Sequence, residues 1–256
     1  MQREYSPSSC IEDISVYFKE YLDKSDQAYA KHLYTTYAYG ESLAETIDIF
    51  LPPEPTPPLQ VYIHGGYWQM LSKQESAFNA PFYLDQGTAF GVMGYGLAPD
   101  VTLDEIVQQT RWLIWFLYKH ADILGFDKDR IHLSGHSAGA QLAFMALFTD
   151  WEKDYGIPND VIKSVTGYSG LYELEPLLHC EENDFLKMDA EAAKRNSPLH
   201  QIVKRKCDLK FYYGENETSE FKRQTYQFAV KLNNYGMEST VKEVEGKNHF
   251  DLVLLE

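Results

Sequence analysis

The sequence is poor in cysteine: only Cys10, Cys180 and Cys207 occur in 256 residues, widely spaced and odd in number. No C-x-x-C pair and no Cys/His cluster with zinc-finger spacing is present, which argues against a structural metal. Reduced thiols in a cytoplasmic protein are therefore expected. Long apolar runs are missing too. Residues 1–24, "MQREYSPSSCIEDISVYFKEYLDK", carry charges throughout and lack the apolar centre of a secretory signal. No stretch is apolar over the length that spans a bilayer. Basic residues are outnumbered, 23 Lys and Arg against 38 Asp and Glu, for a formal net charge of −15. That balance argues against nucleic acid or an anionic membrane as partner and reads first as a solubility surface.

What the chain does contain is an ordinary globular composition, 44% hydrophobic and 24% charged, in an alternating pattern of strand-like and helix-like stretches. "AETIDIFLP" (44–52) alternates polar and apolar residues, as an antiparallel strand would. "LQVYIHGG", "AFGVMGYG", "RIHLSG", "IKSVTGYSG", "LKFYYGE" and "STVKEVEG" read as further strands. Helical periodicity fills "KQESAFNAPFYLDQG", "TLDEIVQQTRWLIWFLYKHADILG" and "SEFKRQTYQFAVKLNNYG", each stopping at a glycine: Gly87, Gly125 and Gly236. In the second, Leu103, Ile106, Val107, Thr110, Leu113, Ile114 and Leu117 mark a core-facing stripe. The pattern predicts an α/β fold with a mostly parallel central sheet and helices on both faces. Residues 1–256 read as one domain without repeats, and the less regular segment 171–208 as a cap or pocket wall.

One junction is poor secondary-structure design. "RIHLSGHSAGAQLAF" (130–144) runs a strand into Gly135, His136, Ser137, Ala138 and Gly139 and continues as a helix. A serine between glycines at a strand-to-helix turn is the G-x-S-x-G nucleophile elbow of the α/β-hydrolase fold. Ser137 then needs a base, and the base needs a carboxylate to orient it. The chain order in such enzymes is nucleophile, acid, histidine. His249, in a polar loop after the last strand, fits the base; His179 and His200 precede the acid candidates and break the order. In "FYYGENETSEF" a carboxylate two or three residues past the strand favours Glu217, with Glu215 as runner-up. The same acidic loop would also stabilise the following helix N-terminus.

A tetrahedral oxyanion needs preorganised N–H donors. "VYIHGGYW" (61–68) ends a strand in two glycines, so Gly65 and Gly66, with the Ala138 amide, are the candidate oxyanion hole. His64 is read as a loop-shaping residue, and His136 and Ser169 as turn residues. Tyr67, Trp68 and Tyr168, with Tyr172 beside them, are the aromatic candidates for contact with substrate. An idle hydrolase fold used for binding would have lost a member of this set, and none is missing.

Together "HGGYWQMLSKQESAF", "LAPDVTLDEIVQQTRW", "LSGHSAGAQLA", "YSGLYELEPL" and "ENETSEFKRQ" resemble the kynurenine formamidases (arylformamidases) of the α/β-hydrolase superfamily. The similarity runs from about Tyr37 to Phe250. It implies cleavage of N-formyl-L-kynurenine to L-kynurenine and formate in tryptophan degradation, without metal or coenzyme. It also implies Ser137 as nucleophile, His249 as base and Glu217 as the acid, where many relatives carry aspartate. The alternative is a broad carboxylesterase acting on short acyl esters, which would share every catalytic residue. Partners are expected to be limited to a small formylated aryl amine or ester and, at most, a second copy of the chain in a homodimer.

Overall fold

The structure, a computed structural model, describes residues 1–255. Its strands are β1 (Tyr34–Ala38), β2 (Thr46–Phe50), β3 (Leu59–Ile63), β4 (Ala89–Met93), β5 (Ile131–His136), β6 (Ile162–Tyr168), β7 (Asp208–Gly214) and β8 (Ser239–Val244). They form one sheet in the order β1-β2-β4-β3-β5-β6-β7-β8. The β1–β2 and β2–β4 pairs are antiparallel and every other neighbour pair is parallel. The helices are α1 (Ile14–Lys31), α2 (Ala80–Leu84), α3 (Leu103–Leu124), α4 (Ala138–Leu147), α5 (Trp151–Tyr155), α6 (Asn183–Leu186), α7 (Ala190–Arg195) and α8 (Ser219–Asn234). Among the described residues no helix is long and apolar enough to cross a membrane.

The two-residue period of the strands divides the core into two. Leu59, Val61 and Ile63 of β3 belong to one core with Leu113 of α3, Leu142 of α4 and Phe228 of α8. Tyr62, between them, joins a second core with Tyr21 of α1, Ala80 of α2 and Phe90 of β4. This is the α/β-hydrolase layering expected from the sequence. Helix α3 starts at a capping box, Thr102 with Glu105, and stops at Gly125 in the left-handed region (φ 86°). Its predicted stripe is buried throughout.

Helix α4 is buried at every residue, because it lies against the sheet centre beneath α3. Its small residues allow that approach. A Cβ on Gly139 would stand 2.0 Å from the Ile63 carbonyl oxygen, so any side chain there would push α4 off β3.

Residues 73–87 do not form the single helix that their periodicity predicts. A 3-10 turn spans Lys73–Glu75, and α2 starts only at Ala80, where Pro81 fits a helix's first turn but not its interior. The N-terminal charges likewise belong to a regular helix, α1. It packs its Tyr21, Ser25 and Ala28 side inward and leads into the edge strand β1. Asp48 of β2, buried on the α1 side, is held by Lys73 Nζ at 2.6 Å and by the Tyr29 hydroxyl at 2.9 Å.

The register brings the parallel strands to a common edge. Ile63 pairs with Gly135, Gly135 with Gly167, Tyr168 with Tyr212 and Gly214 with Val244. Loops following β3, β5, β6, β7 and β8 therefore meet at the carboxyl end of the sheet, where α/β folds bind ligands.

Candidate active site

Ser137 sits between β5 and α4 with φ 53° and ψ −117°, a conformation side chains rarely adopt. Its backbone N–H donates to the Tyr168 carbonyl at 2.8 Å, which pins the elbow to β6. Gly135 is required beneath it, since a Cβ there would come within 2.2 Å of the Gly139 carbonyl oxygen. The turn thus trades local strain for a serine lifted from the strand end. Ser137 lines a cavity of about 180 Å³ together with His249 and Gly66.

The loops after β7 and β8 are bound to each other. The Asn216 amide donates to the Lys247 carbonyl at 2.8 Å and the Glu215 amide to the Val244 carbonyl at 3.0 Å. This brings Glu217 beside His249: Oε2 accepts from His249 Nδ1 at 2.9 Å, with both side chains almost wholly buried. The second oxygen, Oε1, accepts from the Gly214 amide at 2.6 Å and from the Ser169 hydroxyl. Glu215, the runner-up, faces the other way and accepts from the Gly246 amide at 2.8 Å, closing the turn after β8. The extra methylene of glutamate is used to reach back over the strand end.

Bonding of Nδ1 to Glu217 leaves Nε2 as the His249 nitrogen available to Ser137. The imidazole is packed between Phe221 and His136, at centroid distances of 4.5 and 4.6 Å. Among the described residues the Ser137 hydroxyl makes no hydrogen bond to His249, and the two share the cavity wall. Such contacts commonly close only around substrate.

The glycine loop after β3 lies directly against this elbow. A Cβ on Gly65 would fall 2.9 Å from the His136 carbonyl oxygen and 3.1 Å from Ser137 Cβ, so only glycine permits the approach. Gly66 follows with φ 96°. The amides of Gly65, Gly66 and Ala138 donate to no protein acceptor among the described residues. Three unengaged N–H groups beside a serine elbow are what an oxyanion requires.

Two further histidines, His64 and His136, lie beside the elbow. His64 stacks on Tyr95 at 4.1 Å, and its Nδ1 lies 2.9 Å from the Gly65 carbonyl oxygen. Complete burial pushes it down to about 4. His136 donates Nε2–H to the His249 carbonyl at 2.8 Å, and burial drives its pKa well below the ordinary histidine value. Both are therefore neutral near pH 7, one shaping the glycine loop and the other holding the His249 backbone.

Of the three expected substrate contacts, Tyr67 alone lines the cavity, its hydroxyl bonded to the Tyr5 carbonyl. Trp68 is a correction: its side chain is fully buried and its Nε1–H donates to Gln141 Oε1 at 3.0 Å, within the core. Tyr168 is another. It stacks on Tyr212 at 5.4 Å in the core beneath α1, and serves Ser137 through its backbone carbonyl alone. Tyr172 also lies in the core, stacked on Phe228 at 4.4 Å. The aromatic wall comes instead from Phe18 and Tyr21 of α1 and from Phe250. Helical spacing of Ile14, Phe18, Tyr21, Ser25 and Ala28 was the available signal for α1, but nothing in that spacing points to Ser137. Segment 171–208 contributes Glu182 to the wall.

A mostly parallel sheet with a serine elbow, a Glu–His pair and a glycine loop at its carboxyl edge defines an α/β-hydrolase fold. The BD-FAE family model matches residues 47–232. The kynurenine formamidase of Danio rerio is 36% identical over 223 residues, covering 84% of this chain and 74% of its own. That of Salmo salar is 35% identical over 224 residues with the same coverage. A solved bacterial structure from Silicibacter, described as a candidate thioesterase, superposes with a TM-score of 0.84 at 26% identity, over 98% of this chain and 92% of its own. The chain belongs to the kynurenine formamidase family.

Proposed function

We propose that this chain is a cytoplasmic serine hydrolase that cleaves the formyl amide of N-formyl-L-kynurenine to L-kynurenine and formate. The observation that carries the reading is the buried Glu217–His249 pair, 2.9 Å apart, opening onto the cavity lined by Ser137. Membership of the kynurenine formamidase family supports the choice of substrate.

In this reading Ser137 Oγ attacks the formyl carbon while His249 Nε2 takes its proton. Glu217 fixes the imidazole tautomer and stabilises the imidazolium that forms. The amides of Gly65, Gly66 and Ala138 receive the oxyanion. His249 returns the proton to the departing aryl nitrogen, the C–N bond breaks, and kynurenine leaves a formyl ester on Ser137. Water then attacks that ester with His249 as base, and the proton goes back to Ser137 as formate departs. Formyl is the smallest acyl group, which suits a cavity of about 180 Å³ whose remaining space is lined by Phe18, Tyr21, Tyr67 and Phe250.

Kynurenine release from N-formyl-L-kynurenine, measured by absorbance beside nitrophenyl acetate cleavage, tests the substrate. The reading requires a higher kcat/KM for the formamide. Ester cleavage with negligible kynurenine release would replace it with a short-acyl carboxylesterase on the same residues.

A further inference from the structure

Among the described residues, Glu182 is the one Asp, Glu, Lys or Arg that lines the Ser137 cavity. It stands at the N-cap of α6, where its carbonyl accepts from Gln69 Nε2 at 2.9 Å. Its carboxylate accepts from Gln2 Nε2, 3.2 Å from each oxygen, and the Glu181 amide donates back to Gln2 Oε1 at 2.8 Å. A neutral amide orients a carboxylate without cancelling its charge. No ion pair among the described residues involves Glu182.

Among the described residues the wall therefore carries one carboxylate, no lysine or arginine, and the aromatic residues Phe18, Tyr21 and Phe250. Carboxylate and aromatic faces are both receptors for an ammonium group. The cavity is small, about 180 Å³, so a single-ring substrate with its reacting bond at Ser137 has its far end in the same space as Glu182.

We propose that Glu182 is the specificity-determining residue of the site, binding the ammonium group of the substrate, so that cationic amines are selected over matched anions. The reacting bond is taken from the function proposed above. An amino-acid substrate meets Glu182 through its amine, while its carboxylate finds no basic side chain in the wall and faces solvent. The decarboxylated analogue is accordingly a substrate at least as good as the amino acid.

Steady-state kinetics with N-formyl-L-kynurenine, its analogue lacking the carboxylate and its analogue lacking the amine test the assignment. In the wild type kcat/KM should be about tenfold or more higher for the two amine-bearing compounds than for the anion, chiefly through KM. Glu182→Gln, nearly isosteric, should shrink that ratio by about tenfold. A phenyl acetate bearing a primary ammonium, compared with one bearing a carboxylate, reads the same preference if the chain cleaves esters instead. Failure of the formamidase reading is thus seen separately. Equal use of cation and anion by the wild type, or an unchanged ratio in Glu182→Gln, overturns the proposal. The wild-type ratio decides the matter even if the variant does not fold.

Discussion

The Ser169 hydroxyl donates to Oε1 of Glu217, the oxygen not used by His249, from a backbone held at φ 45°. Glu217 is thereby gripped on one oxygen by Ser169 and the Gly214 amide while the other meets the imidazole. A hydrogen bond to a charged group is worth about 1.5–3 kcal/mol. Ser169→Ala should lower kcat roughly tenfold or somewhat more, with KM little changed. Stopped assays with unfolding controls would check this, and an unchanged kcat would mean that the Gly214 amide suffices.

Glu217 and Glu215 differ by two positions and by role. Glu217→Gln keeps the size of the side chain but removes the charge facing Nδ1, and in the proposed mechanism turnover should fall by about 10⁴. Glu215→Gln weakens only the turn at Gly246 and should leave turnover within about twofold. Equal losses in the two variants would show that the loop, not the charge, matters.

Acid should destabilise the protein through His64. Its folded value of about 4 lies below the ordinary histidine value near 6.5, so between these the unfolded chain binds more protons. Stability is then full above pH 6.5 and lost as pH falls toward 4, by about 3 kcal/mol for this one group. His136 acts in the same direction. Urea midpoints at pH 7 and pH 4.5 should differ less in His64→Asn than in the wild type. An equal difference in both proteins would contradict the assignment.

The buried Asp48–Lys73 pair ties the loop after β3 to the sheet. Lys73→Met leaves a buried carboxylate with only hydroxyl partners, and should cost about 3–5 kcal/mol. Adding Asp48→Asn should restore much of that loss in a denaturant titration. A double variant as unstable as the single one would place the cost in packing around Lys73 instead.

The parts of this site carried by local rules were legible. Gly135-x-Ser137-x-Gly139 is a steric requirement, and so is the glycine after His64, so these positions announce themselves. Chain order distinguished His249 from His179 and His200. Side-chain direction in the irregular loops was not legible. Tyr67 and Trp68 both have positive φ, 51° and 58°, so neighbouring rings part, one into the cavity and one into the core. Tyr168 ends β6 one residue past Gly167, and the strand period sends its ring to the α1 side. The cavity walls from Ser6, Phe18 and Glu182 depend on long-range contacts such as Gln2–Glu182, which no periodicity records.

Hydrolysis of N-formyl-L-kynurenine by the purified wild-type chain and by Ser137→Ala, followed as kynurenine absorbance, addresses the central claim most directly. The account predicts rapid kynurenine release by the wild type, and in the variant a loss of about 10³-fold or more with an unchanged melting temperature. Comparable kynurenine release by a folded Ser137→Ala protein would contradict it, because the reaction would then not pass through this serine.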